Sequence, residues 1–157
     1  HATDAELHLF SGSATYGKTG AEKNLQIEEV LDRARAYKDQ GVVLRGPVSK
    51  PKLLEEFREA RVMLYRGDLN ETFCLAVGEA QAAGVPAVVQ NLGSVVERVI
   101  DRETGAIVTT NSDFVTSAIE LLNDDIVWQR QHNTALAKQG LWSWKKAAKA
   151  FEELIII

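Results

Sequence analysis

A single cysteine, Cys74, stands among 157 residues, so no disulfide can close within the chain, and the count fits a reducing compartment. Histidine is also scarce. His1, His8 and His132 lie far apart, and no His/Cys spacing suggests zinc. No apolar run approaches the ~20 residues needed to span a bilayer, and residues 154–157 are too few to count. Basic residues form no dense cluster, and a net charge of −4 argues against nucleic acid as a partner. What is present, 45% apolar and 25% charged residues over this length, describes one soluble globular domain. His1 and the apolar end at Ile157 both read as cut points.

The stretch 70–93 organises the rest. An apolar strand at 62–65 is followed by a polar turn at 66–70 with Gly67 inside it, then by a helix from about 73 to 83. Gly84 stops that helix and Pro86 leads into a second apolar strand, 87–90. Strand, loop, helix, strand is the unit from which parallel sheets are built. Two acids stand out, Glu71 just outside the helix start and Glu79 two turns inside. Unpaired amides and the helix dipole favour an anion at that start. A ligand with a phosphate there and hydroxyls on either side would suit both carboxylates. The plain alternative is a helix-start charge and an exposed helical position.

Around this unit the chain opens with a strand at 6–10 and a polar glycine loop at 11–20. Gly12, Gly17, Lys18 and Thr19 match G-x-x-x-x-G-K-[ST], the phosphate cradle of P-loop nucleotide hydrolases. Gly20 disfavours the helix such a loop needs by about 1 kcal/mol against alanine, and a flexible surface loop is the preferred reading. Asp68 is poorly placed for a magnesium site, because Arg66 and Gly67 intervene after the strand. A helix at 25–37, a strand at 42–45, a turn at 46–49 and a helix at 52–60 capped by Ser49 come next. Beyond residue 90, Ser94 should cap a short helix at 95–100, and a strand follows at 106–108. Asn111 or Ser112 should cap a helix through 122, and Asp124 opens another to about 139. Trp142 and Trp144 begin a terminal helix and are expected to pack. Five strands separated by helices predict an α/β fold, a Rossmann-like parallel sheet with helices on both faces. Loops 11–20, 46–50, 66–72 and 91–94 then share the carboxyl edge of the strands, where such sheets bind ligands.

The run Glu71-Thr72-Phe73-Cys74-Leu75 through Glu79-Ala80-Gln81-Ala82-Ala83-Gly84-Val85-Pro86 resembles the Glu-x7-Glu signature of retaining glycosyltransferases of the two-domain GT-B type, family 4 or group 1. Cys74 stands where that family usually has glycine. The resemblance extends over roughly residues 6–154, with Glu97, Gly105 and the Ser143-Trp144 helix among its matches. It implies that residues 1–157 form a single donor-binding domain, one half of a GT-B fold and a fragment of a larger enzyme. The family's first strand–helix unit, carrying Gly-Arg…Lys-Gly, is then missing, as is the N-terminal acceptor domain. The resemblance further implies a nucleotide-sugar donor and no metal or other cofactor, and no Asp-x-Asp metal motif is present. Glu71 would be the catalytic acid on the transferred sugar and Glu79 the ribose contact. The amides of Thr72, Phe73, Cys74 and Leu75 would hold the distal phosphate, Pro47 and Val48 the base, and Lys18 would be a further phosphate contact. A thiol beside that phosphate should be acidified by the helix dipole. A cytoplasmic enzyme, peripheral to the inner membrane face, is the expected setting. Two alternatives stay open: a P-loop-type nucleotide-binding domain and a non-catalytic assembly domain.

Overall fold

The structure, a computed structural model, describes residues 4–10, 21–139 and 143–155, with backbone alone for 21–26. The chain forms two compact units, His1–Leu53 and Leu54–Ile157.

In the first unit, β1 (Leu7–Leu9) pairs in parallel with β2 (Val42–Leu44), Leu7 opposite Val42 and Leu9 opposite Leu44. Between them run α1 (Ala21–Ala36), which packs on β2, and a 3₁₀ turn, Lys38–Gln40. Helix α1 begins earlier than the predicted residue 25, because Ala21, Glu22 and Lys23 are good helix formers. Gly41, at φ +88°, reverses the chain into β2. Helix α2 (Lys50–Glu59) opens with the Ser49 carbonyl accepting the Leu53 N–H at 2.9 Å and runs on across the division.

The second unit is built on three parallel strands in the order β3 (Met63–Tyr65), β4 (Ala87–Gln90), β5 (Gly105–Val108). The five strands therefore hydrogen-bond as two separate parallel sheets, of two and three strands. Alternation along β4 divides the core. Ala87 and Val89 join Cys74, Val77, Val95 and Val99, the face covered by α3 (Leu75–Ala82) and a 3₁₀ turn, Gly93–Arg98. Val88 joins Ala106, Val108, Ala118 and Leu121 on the opposite face, under α4 (Asn111–Asn123). Helix α5 (Asp125–Gln139) packs against both α3 and α4. Gln81 on α3 is fully buried, yet its amide donates to the Thr104 carbonyl at 3.0 Å and its Oε1 accepts from Gln139 at 2.8 Å.

Three local expectations shift. Thr110, not Asn111 or Ser112, caps α4, its hydroxyl accepting the Asp113 N–H at 3.1 Å and donating to that side chain at 2.7 Å. The segment after Ser94 is a 3₁₀ turn and not an α-helix. Helix α6 (Trp144–Ile155) carries its apolar residues on one face, but Trp144 is 91% exposed rather than packed. Among the described residues, no helix is long and apolar enough to cross a membrane.

Gly105 sits opposite Ala87, and a Cβ there would collide with the Ala87 backbone carbonyl. Overpacking of this kind costs about 1–3 kcal/mol. Gly105→Ala is therefore expected to lower the thermal midpoint through loss of β4–β5 pairing. An unchanged midpoint in calorimetry would show that the two strands can part at no cost.

Candidate functional site

Helix α3 cannot begin with its own residues satisfying its first amides, since no preceding turn offers carbonyls. Glu71 meets one of these, the amide of the N-cap residue Cys74, together with the Phe73 amide just before it. Its Oε1 accepts the N–H groups of Cys74 at 2.9 Å and Phe73 at 3.3 Å. Its Oε2 accepts the Tyr65 hydroxyl at 2.9 Å. The Glu71 backbone is fixed as well, its N–H donating to the Asp68 carbonyl at 3.0 Å and its carbonyl accepting the Ser94 hydroxyl at 2.8 Å. Ser94, predicted to cap its own turn, instead ties that turn to the Glu71 loop.

Two glycines make this tie. Gly93, at φ +63°, lies so close to Asp68 that a Cβ would strike the Asp68 carbonyl oxygen, and Gly67, at φ +84°, leaves 3.0 Å between its own Cβ position and the Leu92 carbonyl. Asp68 turns back on itself, its Oδ1 accepting the Asn70 N–H at 2.7 Å. Loops 66–72 and 91–94 are thus interlocked at the carboxyl edge of β3 and β4.

Charge follows the geometry. The Cys74 amide, then the Tyr65 hydroxyl, hold the Glu71 carboxyl below the usual glutamate range. Burial, with the Glu71 hydrogen bond next, pushes the Tyr65 phenol far up, so it remains a donor. Cys74 corrects the sequence reading. The thiol was expected to be acidified at the helix start, but the residue is only 3% exposed and burial raises it, with the Glu71 charge acting in the same sense. Its side chain belongs to the core with Val77 and Val95. Cys74 also takes φ +55°, the left-handed region that favours glycine.

The sequence-derived residues distribute as follows. Glu71, Phe73 and Cys74 come together through the hydrogen bonds above, with Thr72 between them and Leu75 opening α3. Phe73 also lies under the Arg98 guanidinium, 4.2 Å from its ring centroid. Glu79 lies half-buried one turn further along α3. Pro47 and Val48 belong to the first unit, in the turn after β2. Lys18, with Gly12 and Thr19, falls outside the described residues. Among the described residues, no three His, Cys, Asp or Glu side chains are grouped to hold a metal ion. Tyr65 and Ser94 were missed by sequence reasoning. A hydroxyl at the end of an apolar strand, six residues before an acid, was the signal available for Tyr65.

The lowered Glu71 carboxyl links folding to pH. In the folded state it binds protons less readily than in the unfolded chain, so its contribution is complete above about pH 4.3 and is lost as the pH falls through the lowered folded value. Glu71→Gln should therefore flatten the acid limb of stability measured by urea unfolding. Parallel acid limbs in the two proteins would contradict the arrangement.

Comparison with known proteins agrees with this architecture. Residues 8–124 match the family model described as Glycosyl transferases group 1. The D-inositol 3-phosphate glycosyltransferase of Paenarthrobacter aurescens is 38% identical over 135 residues, covering 84% of this chain and 32% of that protein. A sucrose-phosphate synthase from Thermosynechococcus elongatus shares the fold at a TM-score of 0.73 and 24% identity, over 96% of this chain and 37% of that one. The pneumococcal O-GlcNAc transferase GtfA, solved with UDP and GlcNAc, superposes at a TM-score of 0.61 and 17% identity, over 86% of this chain and 28% of that one. The chain spans about a third of the length of each of these relatives. With the family model covering most of the chain and the α3 unit intact, this protein belongs to the group 1 glycosyl transferases and has an α/β fold of GT-B type.

Proposed function

We propose that this chain binds a nucleotide-sugar at the start of α3, as the donor-binding part of a retaining hexosyltransferase. The observation that carries the proposal is the Glu71 carboxylate, held by Tyr65 and by the Phe73 and Cys74 amides at the mouth of a helix. Membership of the family supports it, as do the UDP and GlcNAc found in a protein of the same fold. In this reading Glu71 accepts hydroxyls of the transferred sugar and Glu79 those of the ribose. The phosphates lie toward Thr72 and Leu75, Pro47 and Val48 meet the base, and Lys18 adds a positive charge. No metal enters the proposal.

The chemistry asked of the site is electrostatic. As the bond from the sugar to the diphosphate breaks, negative charge grows on the departing oxygen, and oriented amides at a helix start stabilise it without reorganising. An acceptor hydroxyl forms the new bond and its proton leaves with the diphosphate. We propose that the acceptor is held by residues beyond these 157. Holding donor and acceptor together can supply about 7–11 kcal/mol of barrier reduction. The 157 residues alone are therefore expected to bind donor without transferring sugar. Purified chain incubated with radiolabelled nucleotide-sugars and a lipid, sugar and protein acceptor panel checks this. Product abolished by Glu71→Ala would show that the chain is a complete catalyst.

A second test addresses the ribose contact. Glu79→Gln keeps size and helix propensity while removing a charged acceptor, for which about 1.5–3 kcal/mol is typical. Nucleoside diphosphate affinity, followed by calorimetry, should fall at least tenfold with unchanged circular dichroism. Equal affinities would remove Glu79 from the site.

A further inference from the structure

Strand alternation sends Tyr65 to the α3 face of the second sheet and Leu64 to the α4 face, where it packs with Val88. Arg66, one residue past the end of β3, continues the Leu64 row. Gln90, the last residue of β4, continues the Val88 row, and Asn111 opens α4 just after β5. These three side chains meet. Arg66 Nε and Nη2 donate to Gln90 Oε1, each at 3.3 Å, and Nη2 also donates to Asn111 Oδ1 at 2.8 Å. The cluster lies across the carboxyl edge of the three-stranded sheet, where open α/β sheets bind ligands.

Its chemistry follows from the donor inventory. A guanidinium carries five N–H donors and no acceptor. Gln90 and Asn111 must therefore turn their carbonyl oxygens toward it, which leaves both of their NH2 groups without a protein partner. Arg66 Nη1 makes no hydrogen bond among the described residues either. Arg66 and Asn111 are exposed and Gln90 is half-buried. What remains for solvent is thus donors alone: Arg66 Nη1, Gln90 Nε2 and Asn111 Nδ2. The charge is open as well. Arg61 and Arg102 each meet a carboxylate, Asp125 at 2.6 Å and Glu120 at 3.0 Å, whereas no ion pair joins Arg66 among the described residues. Asp113, on the same helix as Asn111, has its Oδ2 on the Thr110 hydroxyl at 2.7 Å.

We propose that Arg66, Gln90 and Asn111 form a binding site for an oxyanion of the phosphate class, carried as free phosphate or as a phosphate ester. Donors from three elements, side by side on one fixed cation, suit the several acceptor oxygens of a phosphate better than the two of a carboxylate. The two amide side chains hold the guanidinium in place before any ligand arrives, so little side-chain freedom is lost on binding. The site goes beyond the donor-binding reading and does not rest on it. Glu71 and the first amides of α3 lie on the other face of the sheet edge, and there a carboxylate opposes an anion, while at Arg66 none does.

The test is a nitrogen-15 NMR titration of the 157-residue chain. One arm uses inorganic phosphate, a second glycerol 3-phosphate, and sodium chloride at matched ionic strength is the control. Arg66 Nε and the side-chain amides of Gln90 and Asn111 should shift saturably with phosphate and not with chloride. A tighter midpoint for the ester assigns the site to a phosphate-bearing molecule, and an equal or weaker one assigns it to free phosphate. Arg66→Met should weaken binding roughly tenfold or more, and Arg66→Lys, which keeps the charge but loses the planar fork, should recover only part of it. Asn111→Asp is the second variant. Its new carboxylate neutralises Arg66, and an acid in the first turn favours the helix, so circular dichroism should be unchanged while phosphate binding falls as far as in Arg66→Met. Unchanged phosphate affinity in Asn111→Asp, shifts reproduced by chloride, or shifts confined to the backbone amides of Thr72 to Leu75 would overturn the site.

Discussion

A helix that starts at a sheet edge must find partners for its first amides, and here a carboxylate from its own approach loop meets the one at the N-cap, Cys74. Glu71 meets the Phe73 and Cys74 amides, and its charge lies at the positive end of α3. Such a charge contributes about 0.3–1 kcal/mol through the dipole alone. To bring the carboxylate back, the loop must curl tightly between residues 71 and 74, and the residue at the turn takes the left-handed region. That residue is Cys74, at φ +55°. A non-glycine residue there costs about 1–2 kcal/mol. A glycine would meet the same geometry without the strain. In this chain the cost is offset by burying the Cys74 side chain among Val77, Val95 and Val99. The buried thiol and the bent backbone are one feature seen from two sides.

The curl would be soft if the loop stood alone. It is braced by the loop after β4, where Ser94 bonds the Glu71 carbonyl and Gly93 lets the Asp68 backbone approach closely. Two loops after adjacent strands thus share one set of backbone contacts, and of the strands beneath them β4 is buried at Ala87, Val88 and Val89 while β3 is partly buried. A site on such a frame keeps its acceptor oxygens within the tolerance that recognition of a small polar ligand requires.

Much of this was legible in the sequence. Gly84 and Pro86 punctuate the α3 unit, and β4 was placed at 87–90, where it lies, because a run of Ala and Val between turn residues leaves few alternatives. Glu71 and Glu79 were legible through resemblance more than through physics, since a lone acid at a helix start is ordinary. The α4 cap was misplaced by one or two residues because Thr110, Asn111 and Ser112 are all competent, and only the Asp113 pairing chooses between them. The Cys74 thiol was misjudged because the local dipole is readable from sequence whereas burial against Val95 and Val99, twenty or more residues away, is not. Tyr65 was missed for a related reason: strand alternation shows that a side chain can face α3, but not that its oxygen reaches a loop carboxylate.

The same electrostatics constrain how a diphosphate donor would lie. A second negative charge about 4 Å from Glu71 would be opposed by roughly 4 kcal/mol at an effective dielectric of 20. That exceeds what one charge-assisted bond to an amide returns, about 1.5–3 kcal/mol. Glu71 is held ionised, so protonation does not relieve the conflict at neutral pH. Two of the four amides expected to meet phosphate are moreover already closed by its carboxylate. The helix mouth is therefore divided. On the proposed donor-binding reading, hydroxyls would meet the Glu71 carboxylate and the phosphates would lie on the far side of the turn, toward Thr72 and Leu75. A donor seated the other way round would set like charges against each other.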